Sequence, residues 1–505
     1  MPKERRDRTD PAERRLHLIA LPLALFGLVV GALLVRFDPV VIARQATGGS
    51  LGRTGIVASS VPVPIPVEFT AAELRRIRQL SPLPPVPPDP TNGWADDPRA
   101  VRLGHALFFD PLLSGPGTLS CASCHDPRRW FADGLATSQG LLPGTRNTQS
   151  LVNVGYARWL NWDGRHDSLW SQALEPLERE SEMAGNRVAI VRRIARDPEY
   201  RAAYEAIFGG LPAFEGRGGQ RIPDMAMPMP DSPQNPLHVA WESIGEADRE
   251  RINRAFVNVG KALAAYQRQL VERSTPFDRF VAGLSEDATT SSSPLSPEEL
   301  RGLKLFVGKA NCTQCHHGPL LSDGEFHNIG LPSPDGGMPR DPGRYAGVDL
   351  LKRNEFRANS RFSDDRESTA ALLSDAVVNS PENWGRFRTP SLRGVGRTAP
   401  YMHAGHFETL EEVVRFYSTL EGAVQLDHHQ ETVLEPLLLS EEEIRDLVAF
   451  LGTLSAAGPR DDLMEPPAGP RSGARPPRAS ALDRRVEAEA AKRRGFTVSQ
   501  RPSDG

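Results

Sequence analysis

Two strings, Cys121-Ala122-Ser123-Cys124-His125 and Cys312-Thr313-Gln314-Cys315-His316, decide how the chain is read. Between them they use all four cysteines of the 505 residues, so none remains for a structural disulfide. In Cys-x-x-Cys-His the two thiols add to the vinyl groups of one porphyrin, and the adjacent imidazole is held where it can bind the iron. Two copies predict two covalently attached c-type hemes, with His125 and His316 as iron ligands. A zinc site made from both pairs is disfavoured, because zinc ribbons bring their cysteine pairs much closer in sequence. A thioredoxin-like thiol pair leaves the histidine after each second cysteine unexplained.

The surroundings of the two motifs repeat. Gly104, Leu107 and Phe108 precede the first and Gly302, Leu305 and Phe306 the second, at the same internal spacing. Asp133-Gly134 and Asp323-Gly324 follow at similar distances. Each heme loop is entered from a helix: Asp97-Pro98 reads as a cap with proline at the first helical position, and Ser296-Pro297-Glu298-Glu299 as a capping box with the same proline. The fold class expected is mostly α, with two cytochrome c-like domains, 97–285 and 286–457. Apolar residues at three- and four-residue spacing predict packing helices over Arg187–Phe208 and Glu246–Val271. The Pro- and Gly-rich link Leu211–Leu237 holds Met225, Met227 and Met229; it reads as a surface loop rather than a copper site.

Working outward, Leu18–Val35 is an uncharged apolar run behind Lys3, Arg5, Arg6, Arg8, Arg14 and Arg15. It nearly covers a bilayer core, and the basic flank predicts a cytoplasmic segment 1–17 and a membrane anchor 18–35, with a cleaved signal as the alternative. The rest of the chain then lies outside, in the periplasm, where c-type heme attachment takes place. Residues 36–96 read as a proline-rich tether with a short helix after Thr70. Residues 458–505, rich in Arg, Pro and Ala, read as a disordered tail with a short helix near Leu482–Arg494. The formal net charge of −4 offers no basic field for nucleic acid.

With these residues in hand, the sequence resembles the bacterial diheme cytochrome c peroxidase superfamily, which includes the MauG enzymes. The likeness runs from about Asp97 to Leu454. It is carried by Leu107-Phe108-Phe109-Asp110 with Leu113-Ser114, by Cys121 to His125, by Trp162-Asp163-Gly164-Arg165, by Glu182-Met183, by Pro390-Ser391-Leu392-Arg393 and by Thr398-Ala399-Pro400-Tyr401. The resemblance implies that His125 serves the peroxide-reacting heme and His316 the electron-transferring one; His317 has no matching role in the family and reads as a surface residue. It implies that Trp162 bridges the hemes, although a tryptophan beside a tight Asp-Gly turn is also an ordinary core residue. Gln172 and Glu182 match the polar residues of the peroxide pocket, where a carboxylate can move a proton between peroxide oxygens. Asn147, Thr398 and Pro400 match a calcium site of oxygen ligands between the domains.

Two departures set the functional expectation. Where typical members place a histidine that caps the peroxide-reacting iron, this chain has Leu141, which cannot ligate; that heme is expected to be open in every redox state. Where they place a methionine on the second iron, this chain has Tyr417. It follows the capping box Thr409–Glu412 and shares a helix face with Leu410, Val413 and Val414. Tyrosine ligation, as in MauG, is the expectation; simple packing is the alternative, with Met402, His403 and His406 as competing ligands. The expected function is a peroxide-dependent diheme oxidoreductase acting on hydrogen peroxide and on a redox protein donor or protein substrate. A plain peroxidase or a non-enzymatic electron carrier are the alternatives.

Overall fold

The computed structural model describes residues 67–215, 221–284, 293–424 and 434–467. The run Leu18–Val35, most of the link to the first heme domain and the tail past 467 lie outside these residues. Among those described, no helix is long and apolar enough to cross a membrane.

Helix α1 (Ala71–Gln79) opens on a full capping box at Thr70 and Glu73. Helix α2 (Pro98–Phe109) starts at Asp97, whose carboxylate accepts the Arg99 amide, with Pro98 in the first turn where its missing N–H costs nothing. Then follow α3 (Cys121–Cys124), α4 (Leu169–Glu178), α5 (Arg187–Arg196) and α6 (Pro198–Phe208). The single helix expected over Arg187–Phe208 is two, because Pro198 lacks the N–H to continue α5 and Asp197 caps α6 instead. The first half ends with α7 (Pro236–Glu242), α8 (Glu246–Gln267) and α9 (Pro276–Ala282). The second half runs α10 (Pro297–Val307), β1 (Phe326–His327), α11 (Arg344–Arg353), α12 (Thr369–Ala376), β2 (Phe387–Arg388), α13 (Leu410–Thr419) and α14 (Glu441–Gly452). The strands β1 and β2 pair antiparallel, Phe326 opposite Arg388.

The two halves use one packing device. In the first, α2 and α4 lie on the buried α8, and Gly104 meets it so closely that a Cβ would overlap the Ala262 carbonyl. In the second, α10 lies on α14, and a Cβ on Gly302 would overlap the Asp446 carbonyl. These are the glycines that the repeat pairs. Around them sit two cores, one with Phe108, Trp170, Phe256 and Leu263, the other with Leu303, Phe306, Leu447 and Phe450. Each such side chain contributes about 1.5–3 kcal/mol on burial.

Three segments depart from the expected domain map. The described part of the tether is packed rather than free: Ile77 and Leu80 are buried in the second core, while the Thr91 hydroxyl accepts the Trp170 indole N–H at 2.9 Å in the first. The proline-dense composition hid these anchors. The second half also sends residues back into the first: Phe356 and Phe362 belong to the α8 core, and Asp364 pairs with buried Lys261 at 2.8 Å. Finally, the start of the expected tail is held down, since Leu463 is buried and its carbonyl accepts from the Tyr266 hydroxyl at 2.6 Å.

Candidate functional site

The two heme motifs fold alike. The His125 amide closes a turn on the Cys121 carbonyl at 2.9 Å and the His316 amide on the Cys312 carbonyl at 2.8 Å. Each imidazole then donates from Nδ1 to a carbonyl a few residues on, His125 to Phe131 at 2.9 Å and His316 to Leu321 at 2.8 Å. That fixes the tautomer and leaves each Nε2 lone pair for a metal. The repeated Asp-Gly pairs make matching turns: Asp133 accepts the Leu135 amide and Asp323 the Glu325 amide, both at 2.9 Å, with Gly134 and Gly324 at φ +71° and +69°. A left-handed φ of that kind favours glycine.

The string Pro390-Ser391-Leu392-Arg393 has a physical task here. Ser391 donates to the Leu320 carbonyl at 2.6 Å, and Arg393 donates from Nε to the Pro319 carbonyl at 2.5 Å. These bonds pin the loop whose next carbonyl, that of Leu321, orients His316. Arg393 is itself held by Asp278, with both nitrogen–oxygen distances 3.0 Å and a guanidinium only 1 % exposed.

Between the motifs lies one cavity of about 1640 Å³, larger than the 300–1,000 Å³ of an ordinary small-molecule site. Cys124, His125, Cys312, Cys315 and His316 line it, with Cys121 one turn back on α3. The chemistry of the wall fits two porphyrins. All four cysteines are free, and burial pushes the Cys121, Cys124 and Cys312 thiols up to about 12, unlike redox-active thiolates. Arg388 also lines the cavity, where burial lowers its guanidinium to about 10. Its side-chain bonds, to the Asn161 and Thr389 carbonyls, are long at 3.4 and 3.5 Å. A carboxylate of a bound porphyrin would complement that cation.

The other sequence-predicted residues meet at the same walls. Trp162 is buried, donates its indole N–H to the Asn147 carbonyl at 2.9 Å, and lines the cavity. Gln172 and Glu182 line the cavity, as do Tyr417, Asn147, Thr398 and Pro400. Asn147 donates from Nδ2 to the Leu135 carbonyl at 2.7 Å, which directs its amide oxygen away from that contact. Leu410, Val413, Val414 and Tyr417 of α13 all reach the cavity, so the predicted shared face is the observed one. Burial lifts the Tyr417 phenol above its ordinary range, so a cation at its oxygen is needed before it ionises at neutral pH. His317 is exposed.

Leu141 departs in detail from its expected place. Its side chain is 38 % exposed, and its amide donates to the Glu182 carbonyl at 3.1 Å. The neighbour Leu142 supplies the cavity wall, and it too cannot bind iron.

A run of alternating charges was not legible from the motifs. Glu182 meets Arg179 at 3.3 Å; Arg179 also pairs with Glu175; Glu175 accepts from Arg165 at 2.9 Å; Arg165 reaches Asp163 at 3.2 Å. Asp163 then accepts from Arg146 at 2.5 Å, and Arg146 holds Asp341 with two bonds of 2.7 Å. Asp163 follows Trp162, so the run extends from Glu182 to the neighbour of Trp162. Glu175 stays ionised: burial alone would raise its carboxyl, but Arg165, His166 and Arg179 hold it well below the usual range. Glu182 is shifted the other way, raised by burial and by the Glu175 charge, with Arg179 opposing.

Comparison with known proteins agrees with this architecture. A family model described as di-haem cytochrome c peroxidase matches residues 98–286. The chain is 37 % identical over 377 residues to the cytochrome-c peroxidase IdrP1 of Denitromonas iodatirespirans, covering 72 % of this chain and 84 % of that protein. It is 32 % identical over 361 residues to the methylamine utilization protein MauG of Methylorubrum extorquens, covering 71 % and 79 %. Among solved structures it is similar to the diheme peroxidase BthA of Burkholderia thailandensis, with a TM-score of 0.53, 26 % identity and coverage of 75 % and 90 %.

Proposed function

Because the chain belongs to the di-haem cytochrome c peroxidase family and is a peroxidase-type oxidoreductase with two c-type hemes, we propose how its two sites divide the work. Cys121, Cys124 and His125 would hold the heme that meets hydrogen peroxide. Cys312, Cys315, His316 and Tyr417 would hold the heme that relays electrons. When bound, the hemes supply the two-electron chemistry that splits the O–O bond. Two electrons and two protons convert the peroxide to two waters, the electrons coming from a redox protein donor or from an oxidisable side chain on a protein substrate.

The protein's own groups handle protons and placement. Glu182 takes a proton from one peroxide oxygen and returns it to the other, a role that a positioned carboxylate on the cavity wall can fill. Gln172 orients the peroxide by hydrogen bonding, and Trp162 carries charge between the sites. Asn147, Thr398 and Pro400 would hold a calcium ion, since amide and carbonyl oxygens suit a hard cation. The chain acts in the periplasm, anchored through Leu18–Val35.

One observation supports an always-open peroxide site: the loop from Gln139 to Leu142, which abuts Glu182, places an apolar Leu142 on the wall and carries no histidine. The tyrosine on α13 favours the MauG-like reading, oxidation of a protein partner, over plain peroxide removal. The test is to add hydrogen peroxide to the fully oxidised holoprotein and follow the heme spectrum. Rapid formation of a long-lived oxidised species is expected. A protein that responds only after half-reduction contradicts the open site, and rapid decay with turnover of a small cytochrome donor favours the plain peroxidase.

A further inference from the structure

We propose that Arg179 is a positioning residue for Glu182, and that Glu175, clamped from behind by Arg165 and His166, fixes the Arg179 guanidinium in that place. The proposal deepens the peroxide-reactive reading of the cavity and rests on it. It stands on how one residue serves the Glu182 loop through both its backbone and its side chain.

Arg179 caps the C-terminus of α4 and lines the cavity. Its carbonyl accepts the amides of Glu182 at 3.0 Å, Met183 at 3.2 Å and Ala184 at 3.0 Å, so the loop that carries Glu182 is wound around it. Its guanidinium pairs with Glu182, Nε lying 3.3 Å from the carboxylate, and donates to Glu175 from Nη2. Glu175 cannot follow a moving Arg179, because its other contacts are fixed: Arg165 Nε at 2.9 Å and His166 Nε2 at 2.8 Å. His166 is in turn buried, with Nδ1 3.1 Å from the Ser171 hydroxyl. The result is a long flexible side chain with its tip tied down beside the proton-carrying carboxylate.

The charged and titratable groups that face Glu182 are Arg179, Glu175, Arg165 and His166. The loop Gln139–Leu142 packs on its backbone, Leu141 and Leu142 donating to the Glu182 and Ser181 carbonyls, and contributes no charge. Arg179 therefore favours the ionised carboxylate, while burial and Glu175 favour the protonated one. Removing Arg179 and neutralising Glu175 without losing its contact to Arg179 should move the proton affinity of Glu182 in opposite directions, which a purely structural role would not do.

The test is the pH profile of the bimolecular reaction of oxidised holoprotein with hydrogen peroxide, in wild type, Arg179→Gln, Arg179→Lys and Glu175→Gln. Opposite charges a few ångströms apart shift a carboxyl by one to three pH units, and this pair is partly solvated, so about one unit is expected. Arg179→Gln should move the acid limb up by about one pH unit, with roughly tenfold slower reaction below it. Arg179→Lys should recover most of that loss, and Glu175→Gln, whose amide oxygen still accepts from Arg179 so that only the charge is lost, should move the limb down. Equal slowing at every pH in Arg179→Gln and Arg179→Lys, or shifts of the same sign in Arg179→Gln and Glu175→Gln, overturns the proposal. Should Arg179→Gln not accumulate as holoprotein, the infrared carboxyl band of Glu182, assigned by its loss in Glu182→Gln, reports the same shift in the Lys and Glu175 variants; an unmoved band in Glu175→Gln counts against it. A wild type inert to peroxide across the pH range sinks the reading of the cavity itself, and the proposal with it.

Discussion

Replacing Asp278 by Asn removes the charge that holds Arg393, and with it the anchor of the loop behind His316. Asp278 sits on α9 and gathers bonds from three directions: the Ser81 hydroxyl at 2.6 Å, both Arg393 terminal nitrogens at 3.0 Å, and the Thr275 amide at 3.0 Å. Burial alone would raise its carboxyl, but Arg393, Ser81 and Thr275 hold it at about 2, against an ordinary 3.8. A carboxyl depressed by that much contributes roughly 2–2.5 kcal/mol at neutral pH. The sign follows: the contribution is present above about pH 4 and is lost as pH falls through 4 toward 2. In the variant, Arg393 is left buried without its counter-charge, a situation that costs about 3–5 kcal/mol. Out of a total stability of about 5–15 kcal/mol, this is a large share. Urea unfolding at pH 7 should show the loss as a lower midpoint with unchanged slope, and the heme spectrum of the second site should alter because the Pro319–Leu321 loop is released. The difference from wild type should shrink between pH 4 and 2. A change below about 0.5 kcal/mol, with the second heme undisturbed, would refute the assignment of Arg393 to that task.

Three further substitutions probe other levels of the account. Gly302→Ala drives a Cβ into the Asp446 carbonyl where α10 crosses α14; a loss of about 1–3 kcal/mol or more in thermal unfolding is expected, and an unchanged melting temperature would mean the helices have room. Glu182→Gln should slow the reaction with peroxide by about 10²–10⁴. The same change should leave stability within about 1 kcal/mol, because its ion pair with Arg179 is partly exposed. On the proposed ligation, Tyr417→Met would replace an anionic oxygen donor by a thioether and should raise the potential of the second heme; an unchanged potential and spectrum in redox titration would remove Tyr417 as a ligand.

Much of the frame was written in local signals. The cysteine strings marked the cavity, the boxes at Ser296 and Thr409 marked where helices start, and the repeated Gly104 and Gly302 marked the two tight helix crossings. What stayed hidden was long-range. Nothing local to Ile77 or Thr91 says that a proline-dense segment is anchored in two cores, and nothing near Phe356 or Phe362 says that the second half fills a gap in the first. The charge run from Glu182 to Asp341 was hidden for the same reason: Arg179, Glu175 and Arg165 each look like ordinary helix or turn charges until the fold sets them side by side. Leu142 lines the cavity and Leu141 does not, although both side chains are exposed, which shows the limit of reading by position in an irregular loop.

All of these roles presuppose two porphyrins held by thioether bonds. The direct check is a pyridine hemochrome assay on the purified chain, combined with its intact mass. The account predicts two c-type hemes per polypeptide, one lost in a Cys121→Ala/Cys124→Ala variant and the other in Cys312→Ala/Cys315→Ala. One heme or none in the unaltered protein would contradict it.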